Sequence, residues 1–588
     1  MPPAALEALN TALAQHRAGN LPLAEKLYRE ILARAPESAD AWHLLGALWL
    51  QSGRAAEAVE AIGRAIALDA TKPDYYSHLG AAYGQLGQHE AAITTLRRAV
   101  RLAPQSAAAH YNLGTALVNA EQLEQAATSF RHAIAADPGA AEAHYNLANT
   151  LRALKRLDEA EAAYRQALHI RPGYVKALIN LGNVLVDRER YDEAVDVLRA
   201  AVAVDPQYAN AHLNLGSALR DARRFDEAVE SLRTAVALDP QSAETHNNLG
   251  TALQARAEFD EAWACYQRAL ARNPDLADAH FSRAIHLLRG GDLEQGFAEY
   301  EWRWKCKSFS TRRFDEPRWD GSPLEGRTIL LHAEQGLGDA LHFIRYAADV
   351  KSTGGTVIVE CPQGVIAILA PFEGIDRLFS AGAPTGPFDV HCPLMSLPGV
   401  LGLSIDKLSR GAYLSAEPAR VEAWRKELAD LAGFRVGICW QGNPKHLFDG
   451  QRSFPLRELA PVARVAGVRL VSLQKGFGSD QIGVFPFNVV ELGAELDADG
   501  AFLDTAAVIK NLDLVISSDT AVAHLAGALG AAVWVPLSAH ADWRWFTERE
   551  DSPWYPTMRL FRQTQLDRWD DVFERMAAEL ASLVSSCA

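Results

Sequence analysis

The sequence predicts two architectures in one chain of 588 residues: an all-α array of helical hairpins, then an α/β region holding two sets of parallel strands. Pro36, Pro104, Pro138, Pro172, Pro206, Pro240 and Pro274 fall on one 34-residue grid, with Ala70 in the remaining proline place. On the same grid stand Gly46, Gly80, Gly114, Gly182, Gly216 and Gly250, with Ala148 and Ala284 substituting, and the alanines 58, 92, 126, 160, 194, 228 and 262. From Arg327 onward the period is lost, and short β-rich runs alternate with helical stretches.

Small residues at fixed points let two helices approach closely, and a proline ends the second helix of each pair. The pattern resembles the tetratricopeptide repeat over residues 1–305, about eight repeats plus a capping segment. That resemblance implies a superhelical array that grips an acceptor or partner protein. Two residues before the small position, Asn112, Asn146, Asn180, Asn214 and Asn248 recur one repeat apart. Equivalent positions of successive first helices line the concave surface, so these carboxamides are expected to form a ladder for the backbone of an extended peptide. The alternative is that they satisfy hydrogen bonds between helices. In this feature the array resembles the animal protein O-linked N-acetylglucosamine transferases, which use such a ladder on acceptor polypeptides. Leu44, His78 and Ser282 hold the equivalent places at the array ends.

Past Pro274 the aromatic residues Tyr300, Trp302, Trp304 and Trp319 arrive close together. Terminal repeats need a cap, so the cluster is expected to cement the array to the next domain rather than to cage a ligand. Residues 306–326, with Pro317, Gly321 and Pro323, read as a connector. Strands are expected at Thr328–His332, Thr356–Glu360, Arg435–Trp440, Arg469–Leu473, Leu514–Ser517 and Ala532–Pro536. Helices are expected at Leu456–Val465, Leu503–Asn511 and Ala521–Leu529. The alternation means parallel sheets with right-handed crossovers. A charged helix at Glu417–Ala432 divides it into two Rossmann-like lobes, 327–416 and 417–588, with ligands expected beyond the carboxyl ends of the strands.

Two loops in this region carry chemistry. Glu334-Gln335-Gly336-Leu337-Gly338-Asp339 joins the first strand to the first helix, where Asp339 is either a helix cap or a carboxylate in the cleft. Ser517-Ser518-Asp519-Thr520-Ala521-Val522-Ala523-His524 comes after a strand and opens a helix, where free N–H groups favour a phosphate; His524 alone could equally be a packing residue. Together the loops resemble the lipopolysaccharide heptosyltransferase family, inverting glycosyltransferases of the two-lobed GT-B fold. The resemblance spans roughly Gly326 to the carboxyl terminus. It implies that Asp339 is the catalytic carboxylate of an acceptor-side front lobe, and that Asp519, Thr520, Ala521 and His524 hold the donor in the rear lobe. The family has glycine where this chain has Ala521. Trp440, Gln441, Lys445, Arg452, Gln474, Lys475 and Ser518 resemble the remaining donor-binding positions, with Lys445, Arg452 and Lys475 as counter-charges for phosphate. Surface solvation is the alternative for each cation.

The fusion of array and transferase also resembles bacterial repeat-glycosyltransferase proteins, among them flagellin-modifying enzymes with nonulosonic acid donors. It implies transfer from a nucleotide-sugar to Ser or Thr of a protein, with no cofactor and no metal. Alternatives are a repeat scaffold without catalysis, and a transferase acting on a glycan or lipopolysaccharide. A formal charge of −15 with no long basic run disfavours nucleic acid. No 18-residue apolar run and no signal-peptide pattern occur, so a cytoplasmic protein is expected. Six scattered cysteines without a CxxC pair fit thiols in a reducing compartment.

Overall fold

A computed structural model of the chain describes residues 3–587 apart from 308, 310, 311, 313, 445–448, 494, 540, 566 and 567. It divides into two compact units, Met1–Ala252 and Leu253–Ala588.

The first unit is built of paired antiparallel helices, such as Ala107–Asn119 with Leu123–Ala136 and Val175–Asp187 with Tyr191–Val204. The grid glycines are required by contact: a Cβ at Gly80, Gly182 or Gly216 would lie 2.5 Å from the Cγ of Leu96, Leu198 or Leu232 on the second helix. Each second helix ends just ahead of the grid proline, as Leu123–Ala136 does before Pro138. A further regularity has a signal in residue type, a histidine at positions 110, 144, 212, 246 and 280, with Trp42 and Tyr76 in the same role earlier in the array. Six residues after the proline position, a side-chain donor reaches back to its carbonyl: Trp42 to Pro36 O at 2.8 Å, Tyr76 to Ala70 O at 3.2 Å, His110 to Pro104 O at 2.9 Å and His144 to Pro138 O at 3.2 Å. These bonds close the turn between hairpins where no backbone donor continues the helix.

The turn inside each hairpin needs one left-handed residue. Gly19, Gly53 and Gly87 fill it early in the array, but Glu121, Lys155, Glu189 and Arg223 fill it later, at φ of 59° to 62°. A side chain there costs roughly 1–2 kcal/mol, partly offset by the greater freedom of glycine in the unfolded chain. Changing Lys155, Glu189 and Arg223 to glycine together is therefore expected to stabilise the unit by about 0.5 kcal/mol per site. The urea midpoint followed by circular dichroism should rise; a fall would show that contacts of these side chains outweigh the strain.

The second unit begins with the last hairpins and contains both sheets. Strands β1 (Thr328–His332), β2 (Thr356–Cys361), β3 (Arg377–Ser380) and β4 (Val390–Pro393) form a parallel sheet in the order β3-β2-β1-β4. Strands β5 (Phe434–Cys439), β6 (Val468–Ser472), β7 (Val489–Val490), β8 (Leu514–Ser517), β9 (Val533–Leu537) and β10 (Met558–Arg562) form a second, in the order β10-β9-β8-β5-β6-β7. The helix expected at Glu417–Ala432 spans Pro418–Glu427 and is pinned to helix Leu503–Ile509, as Trp424 Nε1 and Arg420 both donate to Asp504 Oδ1 at 3.0 Å. Strands β3, β4, β7 and β10 were not foreseen. β7 is only two residues long, β4 ends in a proline, and β3 and β10 carry arginines in runs of four and five residues, so none stands out as an apolar run.

The residues that close the helical array are built into this unit. Leu293, Phe297, Tyr300 and Trp319 share one core with β1 and β2, and Phe297 and Tyr300 meet Trp543 at ring distances of 5.7 and 6.0 Å. Arg303, fully buried between the rings of Tyr300 and Trp304, donates to both carboxylate oxygens of Glu334 at 2.6 and 2.8 Å and to Ser396 Oγ at 2.8 Å. The two sheet regions are also tied directly. Buried Arg345, after the first sheet's opening helix, donates to Trp554 O at 2.6 Å and Tyr413 Oη at 3.0 Å.

Candidate functional site

Strand order locates the site before any side chain is considered. In the first sheet β2 and β4 lie on opposite sides of β1, and in the second β6 and β8 lie on opposite sides of β5. At such reversals the loops after the strands diverge and leave a crevice beyond their carboxyl ends. The loops that emerge there are 333–336 after β1, 440–444 after β5 and 518–520 after β8.

The first and third of these meet, although almost two hundred residues separate them. A Cβ at Gly338 would lie 3.0 Å from His524 Cδ2 and 3.6 Å from Ala521 Cα, so the two helices Leu337–Phe343 and Ala521–Ala528 touch at their starts. Any side chain at 338 would push them apart. Asp339 has two engagements: Oδ2 accepts the Gly336 N–H at 3.1 Å, the cap position, and Oδ1 pairs with Arg544. Cap and cleft carboxylate are thus one residue using two oxygens.

His524 lies behind this contact, stacked on Trp545 at 5.4 Å. Its Nδ1 is 3.0 Å from Tyr555 Oη, and His342 Nδ1 is 2.9 Å from the same oxygen. One phenol donates to one ring and accepts from the other, so the two imidazoles carry complementary tautomers. Burial, together with the charges of Arg544 and Arg345, holds both histidines well below their usual range, so they are neutral. Asp519 Oδ1 is 3.8 Å from His524 Nε2. Burial and neighbouring Asp542 push the Asp519 carboxyl up. Thr520 is the residue before the helix, its Oγ1 3.2 Å from Ser517 Oγ.

The other expected donor residues are placed less simply. Trp440 is fully buried in the core of the second sheet, so only its backbone borders the crevice. Gln474 is a brace: its Oε1 accepts from Trp440 N and Gln441 N at 2.9 and 3.0 Å, and its Nε2 donates to Gln441 O and Phe477 O at 2.8 Å. The Gln441 side chain accepts from Gln481 at 3.2 Å. Lys475 donates to Leu496 O at 2.5 Å, and Arg452 pairs with Asp449 at 3.3 Å. Both cations must leave a partner to reach a phosphate. Lys445 lies outside the described residues. In the Asp497-Ala498-Asp499 run, Asp497 caps helix Leu503–Ile509 through Asp504 N at 2.7 Å and Asp499 pairs with Arg420 at 3.0 Å.

Arg544, which sequence reasoning missed, is the cation that pairs with Asp339. It bonds Asp542 at 2.7 Å as well as Asp339, and those charges hold its guanidinium protonated despite burial. Two other donors near the second sheet's strand ends, Ser518 Oγ and the Nε of Arg544, are buried without a partner among the described residues. A ligand rich in oxygen acceptors matches that set.

In the helical array, Asn146 Nδ2 donates to Tyr111 Oη at 2.8 Å, Asn180 Nδ2 to Asn149 Oδ1 at 2.8 Å and to Tyr145 Oη at 3.2 Å, Asn214 Nδ2 to Asn210 O at 2.6 Å, and Asn248 Nδ2 to Ser217 Oγ at 3.1 Å. Asn112 is half-buried at the equivalent place. Both amide donors of Asn180, and one each of Asn146 and Asn248, therefore serve neighbouring repeats, while the carbonyl oxygens accept nothing among the described residues.

Comparison with known proteins covers the same ground. Tetratricopeptide repeat models match residues 15–82, 111–175, 179–243 and 219–285, and a TPR repeat model matches 84–120. Tetratricopeptide repeats are thus present, followed by a region of parallel sheets, and the array is a protein-binding architecture. Protein FlbA of Caulobacter vibrioides is 30% identical over 342 residues, 52% of this chain and 55% of that protein. The chain thus spans about half the length of the curated relative it matches. Among solved structures, YrrB, described as a TPR protein with an unusual peptide-binding site, is similar at 23% identity over 32% of this chain and 97% of that one, with a TM-score of 0.28. MamA from Desulfovibrio magneticus RS-1 is similar at 23% identity over 29% and 96%, with a TM-score of 0.28. No described helix is long and apolar enough to cross a membrane.

Proposed function

We propose that this protein is an inverting glycosyltransferase of the GT-B type, transferring a sugar from a nucleotide-sugar to a Ser or Thr hydroxyl of a protein held by the repeat array. The observation that carries the reading is the meeting of the Gly338-Asp339 turn with the Asp519–His524 turn at the switch points of two parallel sheets. In this reading the hydroxyl oxygen attacks the anomeric carbon, its proton passes to Asp339, and the bond to the donor phosphate breaks with its electron pair on the phosphate. The start of helix Ala521–Ala528 and Arg544 stabilise that departing charge. Asp519 and Ser518 receive the donor. Flagellin with a nonulosonic acid donor is one pairing that suits the architecture.

Intact-mass spectrometry of cellular proteins with and without this gene tests the reading. A discrete glycan mass should vanish from one or a few proteins; an unchanged protein profile with an altered lipopolysaccharide would move the acceptor to a glycan.

The array's part is tested by changing Asn146, Asn180 and Asn214 to alanine together. Each lost hydrogen bond is worth about 1 kcal/mol, so acceptor affinity should fall roughly a hundredfold if the carbonyl ends hold the peptide. Because the amide ends of Asn146 and Asn180 bond neighbouring repeats, thermal stability should fall as well. Loss of stability with unchanged acceptor affinity would make the ladder purely structural.

A further inference from the structure

Arg544 is 8% exposed, and its guanidinium lies over the rings of Trp543 and Phe343, 5.1 and 5.5 Å from their centroids. One Nη holds Asp339 Oδ1, the other holds Asp542 Oδ1 at 2.7 Å, and Nε is buried without a partner among the described residues. Asp519 adds a third carboxylate to the field around it. Ser518 Oγ, beside Asp519 in sequence, is also buried without a partner among the described residues. An arginine in this position is committed to the proton acceptor of the proposed reaction and still has an unused donor facing the same interior. With Oδ2 on the Gly336 N–H, an incoming hydroxyl must compete with Arg544 for Oδ1 of Asp339.

We propose that Arg544 is an exchangeable clamp: in the free protein it holds Asp339, and on binding of a nucleotide it transfers to a phosphate oxygen and releases Asp339. The inference rests on the proposed function for the identity of the ligand, but not for its test. The ligand class is a nucleoside mono- or diphosphate, whose oxygens can take both arms of the planar Arg fork where Asp339 takes one. The exchange makes donor binding and release of the base one event, so Asp339 would become available only when there is a donor to react.

The consequence runs against intuition. A clamp shared between Asp339 and ligand makes the apparent affinity lower than the intrinsic one by the fraction of molecules whose Arg544 is free. Removing the competing charge with Asp339→Asn should therefore tighten phosphate binding, by about 3- to 10-fold. Arg544→Gln should weaken it by about 10- to 100-fold, the worth of a charge-assisted hydrogen bond, with Arg544→Lys in between.

Calorimetry on the full chain with UDP, GDP, CDP, CMP and inorganic pyrophosphate makes the measurement. The proposal expects the parent to bind at least one probe, Asp339→Asn to bind it more tightly, and Arg544→Gln to bind it more weakly. It is overturned if the parent binds none of them, if Asp339→Asn binds no tighter, or if a folded Arg544→Gln binds like the parent. Should Arg544→Gln not fold, the Asp339→Asn result decides alone. Failure of the transferase reading is distinguishable: the binding pattern intact with no sugar transfer sinks that reading only, and transfer intact without the pattern sinks the clamp only.

Discussion

Asp339→Asn is expected to lower sugar transfer by about 100- to 10,000-fold while the protein stays folded and still binds donor. The carboxylate lies at the start of helix Leu337–Phe343, one oxygen on Gly336 N and the other on Arg544. An attacking hydroxyl with a pKa far above neutrality must lose its proton as the glycosidic bond forms, and a carboxamide cannot take it. Asparagine keeps the shape and its Oδ1 can still accept from Gly336, so the helix start survives. Single-turnover rates on a purified acceptor protein are the measurement. If the variant transfers at close to the parent rate while Asp339→Ala unfolds, Asp339 is a cap only. His342 and His524 would then be poor substitutes, since the Nδ1 of each is spent on Tyr555 and both rings are interior. Asp519 and Asp542 would be the next candidates.

The second large effect is expected at Arg303. Its guanidinium is fully buried and supplies the Glu334 carboxylate with two hydrogen bonds, and Glu334 opens the loop that ends in Asp339. Burial pushes the Glu334 carboxyl up, to about 7, against the pull of Arg303. Arg303→Ala therefore leaves a buried carboxyl with its cation gone, and breaking such a pair costs about 3–5 kcal/mol. The thermal midpoint of the second unit should fall by several degrees, and transfer should fall further than stability explains, because the Asp339 loop loses its anchor. Adding Glu334→Gln to Arg303→Ala should recover part of the loss, since a neutral amide is easier to bury. A cost for Arg303→Ala below about 1 kcal/mol would show that solvent, Ser396 or nearby Arg318 replaces the pair.

Much of this molecule is legible along the chain. The helical hairpins can be placed from Pro104, Gly114 and Ala126 and their echoes, because a repeat that packs only on its neighbours writes every constraint within some seventy residues. The strands β1, β2, β5, β6, β8 and β9 were legible as well: each is a mostly apolar, mostly buried run flanked by helical stretches. The turns bearing Asp339 and Asp519 could be placed because a strand-to-helix turn sits at a predictable end of a parallel sheet. The function of the cations was not legible. Lys475 and Arg452 have the charge for phosphate, but whether they are free depends on Leu496 and Asp449.

By itself, then, the sequence determined where the helical pairs lie, that parallel sheets come after them, and which two strand-to-helix turns carry Asp339, Asp519 and His524. Those features are local, set by backbone sterics, side-chain size and apolar period. Only the tertiary structure decided that the last hairpin belongs to the sheet-containing unit through Phe297, Tyr300 and Arg303, and that Gly338 meets Ala521. It alone placed Arg544 on Asp339 across 205 residues of sequence. The physical reason is that an ion pair or a close backbone approach depends on which surfaces folding brings together, and a single side chain carries no period by which its distant partner could be read.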